Sequence, residues 1–225
     1  MQHDWWNVTP TQAVALQREL QNKVALSELS APITTIAGAD VSLNLFAKDI
    51  YAGIIVLSYP DLKPLAHAVV KSRTDFPYIP GLLSFREIPA LMECWQKLSV
   101  KPDVIMVDGQ GITHPRRLGI AAHLGVLLNV PTIGVAKSRL YGDYIPPASV
   151  GDSQPITDPK DGAVIGTAFK SKLRSNPLLI SPGHNITVDE AFAITRECIR
   201  GYRLPEPTRQ AHLLVNAFRT GEIEA

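Results

Sequence analysis

The alternation of hydrophobic and polar positions changes its period along the chain. Apolar residues recur with helical spacing between residues 10 and 28, and Thr9-Pro10 is a suitable start because proline is tolerated in a first helical turn. Apolar runs typical of strands follow with short connectors, at residues 34–42, 51–59 and 65–73. The pattern predicts one helix and then three strands in an antiparallel meander.

The rest of the chain predicts alternating helices and strands. Residues 103–107 (DVIMV) have an apolar centre and lead into Asp108-Gly109, which is typical of a buried central strand. A helix over 87–99 accommodates Pro89 because it would lie in the first turn. Residues 141–162 are rich in proline and glycine and predict turns. The remaining predicted elements are helices at 117–129, 188–200 and 206–219 and strands at 131–135, 163–169 and 177–181.

Three meandering strands followed by helix, strand, helix and strand is the element order of the ribonuclease H-like fold. We therefore expect an α/β protein with a ribonuclease H-like mixed sheet, in which the antiparallel three-strand meander is joined by parallel strands and flanked by helices. Because no linker separates two self-sufficient halves, residues 1–225 are predicted to form a single domain. Element order by itself does not give a function.

Composition narrows the class of protein. The 225 residues are 45% hydrophobic and 19% charged, which is ordinary for a globular chain and excludes a disordered one. No apolar run approaches the ~20 residues of a membrane span, and the first residues lack a signal-peptide pattern. The two scattered cysteines indicate reduced thiols. We expect a soluble, cytoplasmic protein with no membrane partner. Residues 71–140 hold nine Lys or Arg and five acidic residues, a basic excess too small for tight non-specific binding, so we expect a monomer.

Two aspartates stand where predicted strands end. Asp40 follows the apolar start of the first strand, and Asp108 follows the central strand. If these strands are neighbours, both carboxylates project near the same edge of the sheet and offer the hard oxygen ligands that suit Mg²⁺. The alternative is that each aspartate only ends a strand or begins a turn.

Further polar residues have weaker signals. Glu87 opens the predicted helix 87–99, where a carboxylate favours the helix dipole whether or not it has another role. His114 and Arg116, in a glycine-containing loop after the central strand, suit phosphate binding, although such a loop is also typical of a solvated turn. Lys137 at a strand end and His212 in the last helix are residue types that most often lie at the surface in these positions.

Residues 77–80 (PYIP) form an unusual loop, in which two prolines stiffen the backbone around Tyr78 and Ile79. A rigid, exposed apolar loop is suited to entering a stack of nucleic-acid bases. The competing interpretation, which composition alone favours, is a buried loop that fills part of the core.

Several segments together resemble the endonuclease V family, the deoxyinosine 3′ endonucleases. They are residues 37–40 (AGAD), 77–81 (PYIPG), 84–87 (SFRE), 107–111 (VDGQG), 114–116 (HPR), 133–140 (IGVAKSRL), 181–184 (SPGH) and 203–209 (RLPEPTR). The resemblance covers about residues 34 to 212. It implies a DNA repair nuclease that hydrolyses the second phosphodiester bond on the 3′ side of a deaminated adenine (hypoxanthine). The lesion would be retained, and the new ends would be a 3′-hydroxyl and a 5′-phosphate.

The resemblance also implies roles for individual residues and a Mg²⁺ cofactor, for which Mn²⁺ would substitute. Asp40 and Asp108 would hold the metal ion and Glu87 would complete the cluster directly or through water, while Lys137 and His212 would line the same catalytic site. Pro77, Tyr78, Ile79 and Pro80 would be a DNA wedge, with Tyr78 at the lesion. The pocket for the extruded base would be bounded by Gly81, Leu83, Gly109, Gly111, Gly134 and Leu140.

Two alternatives to a nuclease of damaged DNA stay open. One is a related ribonuclease H-like nuclease that acts on inosine-containing RNA or on branched DNA, which would share the carboxylates without needing the wedge. The other is a non-catalytic nucleic-acid-binding module on the same fold. Three carboxylates together count against the second, because a binding module has no need of them.

Overall fold

The computed structural model describes residues 7–43 and 48–224 of the chain, and its eight strands in these residues form one mixed sheet. In chain order the strands are β1 (Thr35–Leu43), β2 (Asp49–Ser58), β3 (Pro64–Arg73), β4 (Val104–Val107), β5 (Thr132–Ala136), β6 (Ser153–Thr157), β7 (Val164–Phe169) and β8 (Leu178–His184). Their order across the sheet is β3-β2-β1-β4-β5-β8-β7-β6. Strands β1, β2 and β3 form the antiparallel meander, and β4 and β5 run parallel to β1. The predicted fold class is confirmed.

Helices cover both faces of this sheet. They are α1 (Pro10–Leu20), α2 (Leu83–Lys97), α3 (Ile120–Leu128), α4 (Val188–Glu197) and α5 (Glu206–Thr220). The side chains of Ala37 and Ala39 in β1 pack in one apolar cluster with α2 and α3. Ile36 points to the other face, into a cluster with α4 and α5. Because side chains alternate along a strand, Asp40 follows Ile36 onto the face that α5 covers.

The first helix is shorter than its hydrophobic pattern predicts. It ends at Leu20 and passes through a 3₁₀ turn, Gln21–Lys23, into extended chain. The backbone N–H of Ala25 donates to His184 Nδ1 at 3.1 Å, and that of Leu29 donates to Glu190 Oε1 at 2.9 Å. These tertiary hydrogen bonds use N–H groups that a continued helix would have needed, so the prediction of a helix to residue 28 is wrong.

Helix α2 begins at Leu83, four residues before the predicted start. Two turn-like hydrogen bonds, from Leu82 N–H to the Ile79 carbonyl and from Phe85 N–H to the Leu82 carbonyl, lead the chain into it. Pro89 therefore lies inside the helix and not in its first turn, and Glu87 lies one turn further along than expected. A favourable interaction with the helix dipole in the first turn therefore does not explain why a carboxylate stands at position 87.

The turn-rich segment 141–162 contains a strand that its composition did not predict. Strand β6 pairs with β7 at the edge of the sheet. Pro155 lies within it, and an edge strand tolerates proline because one side of its backbone has no partner strand. In the described part of the chain, no helix is long and apolar enough to cross a membrane.

Candidate active site

Asp40 and Asp108 lie side by side because β1 and β4 are parallel neighbours. Ala39 pairs with Val107 in the register of the two strands, and the Asp108 N–H donates to the Ala39 carbonyl at 3.1 Å. Asp108 directly follows the last residue of β4, as predicted, but Asp40 lies inside β1, which continues to Leu43 because it stays paired with β2. Since Ala39 and Val107 are aligned, the residues that follow them place the two carboxylates side by side. Burial, together with the nearby charge of Asp108, raises the pKa of Asp40 above its ordinary value.

A third potential ligand comes from α5. One ligand atom each of Asp40, Asp108 and His212 lies within 4.8 Å of the other two. Lys137 Nζ forms an ion pair with Asp108, and His212 Nδ1 lies 2.9 Å from Asp40 Oδ2. The carboxylates of Asp40 and Asp108 converge, and the pKa of Asp40 is raised. Two such oxygen ligands form a site that suits a hard divalent cation.

Glu87 faces the same site from α2 without belonging to this group of three. Burial first, and then the charges of Asp40 and Asp108, raise the pKa of Glu87 to about 8. It lines the same cavity as the two aspartates. The structure thus brings Glu87 within electrostatic range of the pair, at a position compatible with an indirect contact to a cation.

Gly38 allows α5 to pack closely on β1, which places His212 beside Asp40. A Cβ atom on Gly38 would lie 1.8 Å from the carbonyl oxygen of Pro207, so only glycine lets the first turn of α5 lie this close to β1. Further along the helix, Asn216 Nδ2 lies 3.0 Å from His212 Nε2. Both ring nitrogens of His212 therefore have partners, one the Asp40 carboxylate and the other a residue on its own helix.

An open cavity of about 410 Å³ extends from the carboxylates to the loop 77–80. Tyr78 stands at the rim with 67% of its surface exposed, and Pro77 and Pro80 are exposed as well. Ile79 is half-buried against the cluster that contains Phe85. The core-filling interpretation of this loop therefore fits Ile79 and does not fit Tyr78, whose ring is available to a ligand.

Four of the six residues expected around a base pocket line this cavity: Gly81, Leu83, Gly109 and Leu140. Gly111 and Gly134 are buried behind its wall instead. A Cβ on Gly134 would lie 2.2 Å from the Gly111 nitrogen, and a Cβ on Gly111 would lie 2.2 Å from the Pro182 carbonyl oxygen. These two glycines allow the loop after β4 to pack directly on β5 and β8, so they shape the pocket from behind.

His114 and Arg116 both hydrogen-bond to the backbone at the end of the loop 77–80. The buried His114 ring has Nε2 3.0 Å from the Gly81 carbonyl oxygen, and Arg116 Nη2 donates to the same oxygen at 3.0 Å. Burial lowers the pKa of His114 to about 4, so the ring is neutral near pH 7. Both side chains thus contact the carbonyl at the end of the loop 77–80, and His114 also lines the cavity, so their phosphate-binding role stays a prediction.

One residue at the site was missed in the sequence, and a second was noticed there without being given a role. Gln17 is fully buried although it lies in an amphipathic helix, and it hydrogen-bonds to Gly81 and Arg116. A polar residue at the core position between Ala13 and Leu20 was the available signal. Asn216 had a similar signal, since it lies four residues after His212 on the same helix.

A mixed sheet with one carboxylate in β1 and another directly after its parallel neighbour β4 is the arrangement expected of a ribonuclease H-like nuclease. A sequence model of the family described as Endonuclease V matches residues 18–213 of the chain. The chain belongs to the endonuclease V family. It is 46% identical over 208 residues to the Endonuclease V of Dehalococcoides mccartyi strain BAV1, and the match covers 92% of this chain and 93% of the relative.

Solved structures agree with this assignment. The crystal structure of Endonuclease V from Streptomyces avermitilis superimposes with a TM-score of 0.87 at 36% identity, covering 97% of this chain and 96% of that one. Ciona intestinalis Endonuclease V, in complex with a 24mer DNA containing an inosine followed by a ribo-adenosine, superimposes with a TM-score of 0.83 at 30% identity. That match covers 95% of this chain and 98% of the Ciona chain.

Proposed function

We propose that this endonuclease repairs DNA by recognising hypoxanthine and hydrolysing the second phosphodiester bond on its 3′ side. The products would be a retained lesion, a 3′-hydroxyl and a 5′-phosphate. The observation that carries the proposal is the shared wall of the cavity, in which Asp40 and Asp108 stand beside Gly81 and Leu83. A base held in the cavity would leave its own 3′ phosphates near the carboxylates. The inosine in the DNA bound by the Ciona relative supports the choice of lesion.

Asp40 and Asp108 would hold Mg²⁺, or Mn²⁺ in its place, and Glu87 would reach the ion through water. When bound, the ion would neutralise charge on the scissile phosphate and lower the pKa of the attacking water. Lys137, which pairs with Asp108, would add positive charge where negative charge develops on the phosphate. His212 would hold the Asp40 carboxylate in one orientation through its Nδ1 contact.

The wedge loop would enter the duplex and the cavity would receive the extruded base. Extruding a base from a duplex costs a few kcal/mol, and the weak pairing of hypoxanthine lowers this cost. Two prolines limit the freedom of the loop, so the exposed ring of Tyr78 is presented at little entropic cost and can stack where the base was removed. Backbone groups around Gly81 and Gly109 would approach the flat purine closely.

We also propose that residues 1–225 act as one domain and as a monomer in the cytoplasm. The single sheet formed by all eight described strands supports one domain. Cys94 and Cys198 are free and buried, which is compatible with a reducing compartment.

A nicking assay tests the proposed function. The substrate is a duplex with one hypoxanthine, labelled at either end of the damaged strand, with and without Mg²⁺, beside an undamaged duplex and a four-way junction. We expect one Mg²⁺-dependent nick at the second bond 3′ to the lesion. Equal cleavage of the undamaged duplex, preferential cleavage of the junction, or binding without cleavage would contradict the proposal.

Inosine-containing RNA is the second candidate substrate. The nucleotide after inosine in the DNA bound by the Ciona relative is a ribo-adenosine, which favours testing it. The same assay with an inosine in single-stranded RNA and in single-stranded DNA of identical sequence compares the two. A kcat/KM higher for the RNA would assign the enzyme to RNA.

A further inference from the structure

The carbonyl oxygen of Gly81 accepts hydrogen bonds from three side chains. The donors are Gln17 Nε2 at 2.9 Å, His114 Nε2 at 3.0 Å and Arg116 Nη2 at 3.0 Å. A carbonyl oxygen has two lone pairs, so this acceptor is fully used. Gly81 directly follows the wedge loop and has a φ of +80°, a conformation that favours glycine. The backbone is therefore held at the point where the wedge loop joins the cavity wall.

The direction of every hydrogen bond in this cluster is fixed by its partners. Arg116 Nε can only donate, and it lies 2.5 Å from Gln17 Oε1, so Gln17 Nε2 must face the carbonyls of Gly81 and, at 3.4 Å, Leu118. The Arg116 backbone N–H donates to His114 Nδ1 at 3.1 Å, so the ring proton is on Nε2, facing Gly81. Neither the amide nor the imidazole has an equally good second orientation.

Gln17 joins elements that are remote in sequence. It belongs to α1, has no exposed surface, and lies one residue before the segment that the family model matches. The same helix packs Ala13 against the apolar cluster of Phe76 and Phe85 beneath the wedge loop. Helix α1 thus contacts the base of the loop both through apolar packing and through one buried amide.

We propose that Gln17 is a positioning residue for lesion recognition, which fixes the Gly81 carbonyl and thereby the wedge loop and the adjoining edge of the base pocket. The proposal rests on the proposed function of that loop. Without the Gln17 amide, Gly81 keeps two donors, but Arg116 Nε loses its acceptor, so the guanidinium is held only through Nη2. The free loop would then sample more conformations, and lesion binding would bear the cost of ordering it.

The test uses substitutions that separate the two ends of the amide. Gln17→Met keeps the size of the side chain and removes all its hydrogen bonds. Gln17→Glu keeps an acceptor for Arg116, and so protects folding, but turns a carboxylate oxygen towards the Gly81 carbonyl. Gln12→Met is the matched control, because Gln12 is exposed on the same helix and bonds only near the helix start.

Two measurements are made on each full-length variant. Hydrogen exchange of residues 76–83 in the free protein reports on the loop, and equilibrium binding with single-turnover cleavage reports on recognition. We expect both Gln17 variants to show faster exchange in this segment and a Kd for hypoxanthine duplex that rises about five- to tenfold, the scale of one net buried hydrogen bond. The cleavage rate at saturating enzyme should stay within about twofold of wild type, since the carboxylates are untouched. Gln12→Met should match wild type in both measurements.

Wild-type exchange and Kd in both Gln17 variants would overturn the proposal. So would an equal rise in Kd for Gln12→Met, because the effect would then be general loosening of α1, and so would faster exchange with an unchanged Kd. A failure of the proposed function is a separate result: the wild-type protein would bind hypoxanthine and adenine duplexes equally, while exchange in the free protein would still report on the Gly81 contact.

Discussion

Nδ1 of His212 lies 2.9 Å from Oδ2 of Asp40, although 172 positions separate the two residues in the chain. Asn216 Nδ2 approaches the opposite ring nitrogen, and Asn216 Oδ1 lies 3.4 Å from Ser42 Oγ in β1. The imidazole is therefore held between β1 and α5, and the carboxylate that it contacts keeps one orientation.

We expect Asn216→Leu to lower the single-turnover cleavage rate about tenfold, because a partner that orients a group next to a metal site typically contributes on this scale. Lesion binding should be unchanged, since Asn216 does not line the cavity. Leu213→Ala, an exposed position on the same helix, is the control. A wild-type rate in Asn216→Leu would mean that Asp40 alone suffices to hold the ring.

Asp40→Ala and Asp108→Ala should each reduce cleavage by at least about 100-fold, the scale of losing a group that stabilises charge in the transition state. Binding of hypoxanthine duplex should be largely retained, because the wedge loop and the cavity remain. Nicking rates in Mg²⁺ and Kd values, measured beside the exposed-site control Asp143→Ala, check both parts. Near wild-type nicking by either variant would remove that residue from the metal site.

Glu87→Gln should slow cleavage less than Asp40→Ala does. Glutamine keeps an oxygen at the same distance along the side chain and loses only the charge, whereas alanine at position 40 removes a ligand atom from the group of three. The measurement is the cleavage rate across a series of Mg²⁺ concentrations. If Glu87→Gln coincides with wild type throughout, Glu87 has no part in the reaction.

The stability of the metal-free protein should fall as the pH rises. Since burial and the neighbouring aspartates raise the pKa of Glu87 from 4.5 to about 8, the folded state keeps a proton between these values that the unfolded state has lost. The stabilisation is complete below the unfolded pKa and is lost as the pH rises through the folded one. Melting temperatures in a chelator, measured at about pH 6 and about pH 8.5, should decrease more in wild type than in Glu87→Gln. Equal slopes would show that Glu87 is not the titrating group.

Tyr78→Ala should weaken binding of hypoxanthine duplex by ~1–3 kcal/mol, the usual contribution of an aromatic ring stacked on a base. The melting temperature should be unchanged because 67% of the surface of Tyr78 is exposed. The loss should be smaller on single-stranded substrate, which has no base stack to hold open. A lower melting temperature with equal losses on both substrates would indicate a packing role for Tyr78.

Local sequence alone determined the sheet strands near the site and the positions of the two aspartates. Apolar runs that end in a polar residue identify a buried strand and its end within a few positions, so β1, β4, Asp40 and Asp108 could be located without knowledge of the fold. The stiffness of the loop 77–80 also follows from its two prolines. The family resemblance added roles for Glu87, Lys137 and His212 that no local pattern would have given.

Only the tertiary structure decided which polar groups meet. Gln17 lies 64 positions from Gly81, 99 from Arg116 and 101 from Leu118, and its burial depends on all three contacts. Similar long-range contacts hold the His114 ring and the Arg116 guanidinium against the Gly81 carbonyl, and packing on β5 and β8 placed Gly111 and Gly134 behind the cavity wall. The hydrophobic period around a residue predicts the element to which it belongs and the face on which it lies. A buried polar group, however, is stable only where a hydrogen-bond partner satisfies it. At this site that partner comes from another segment of the chain, so it is set by the fold.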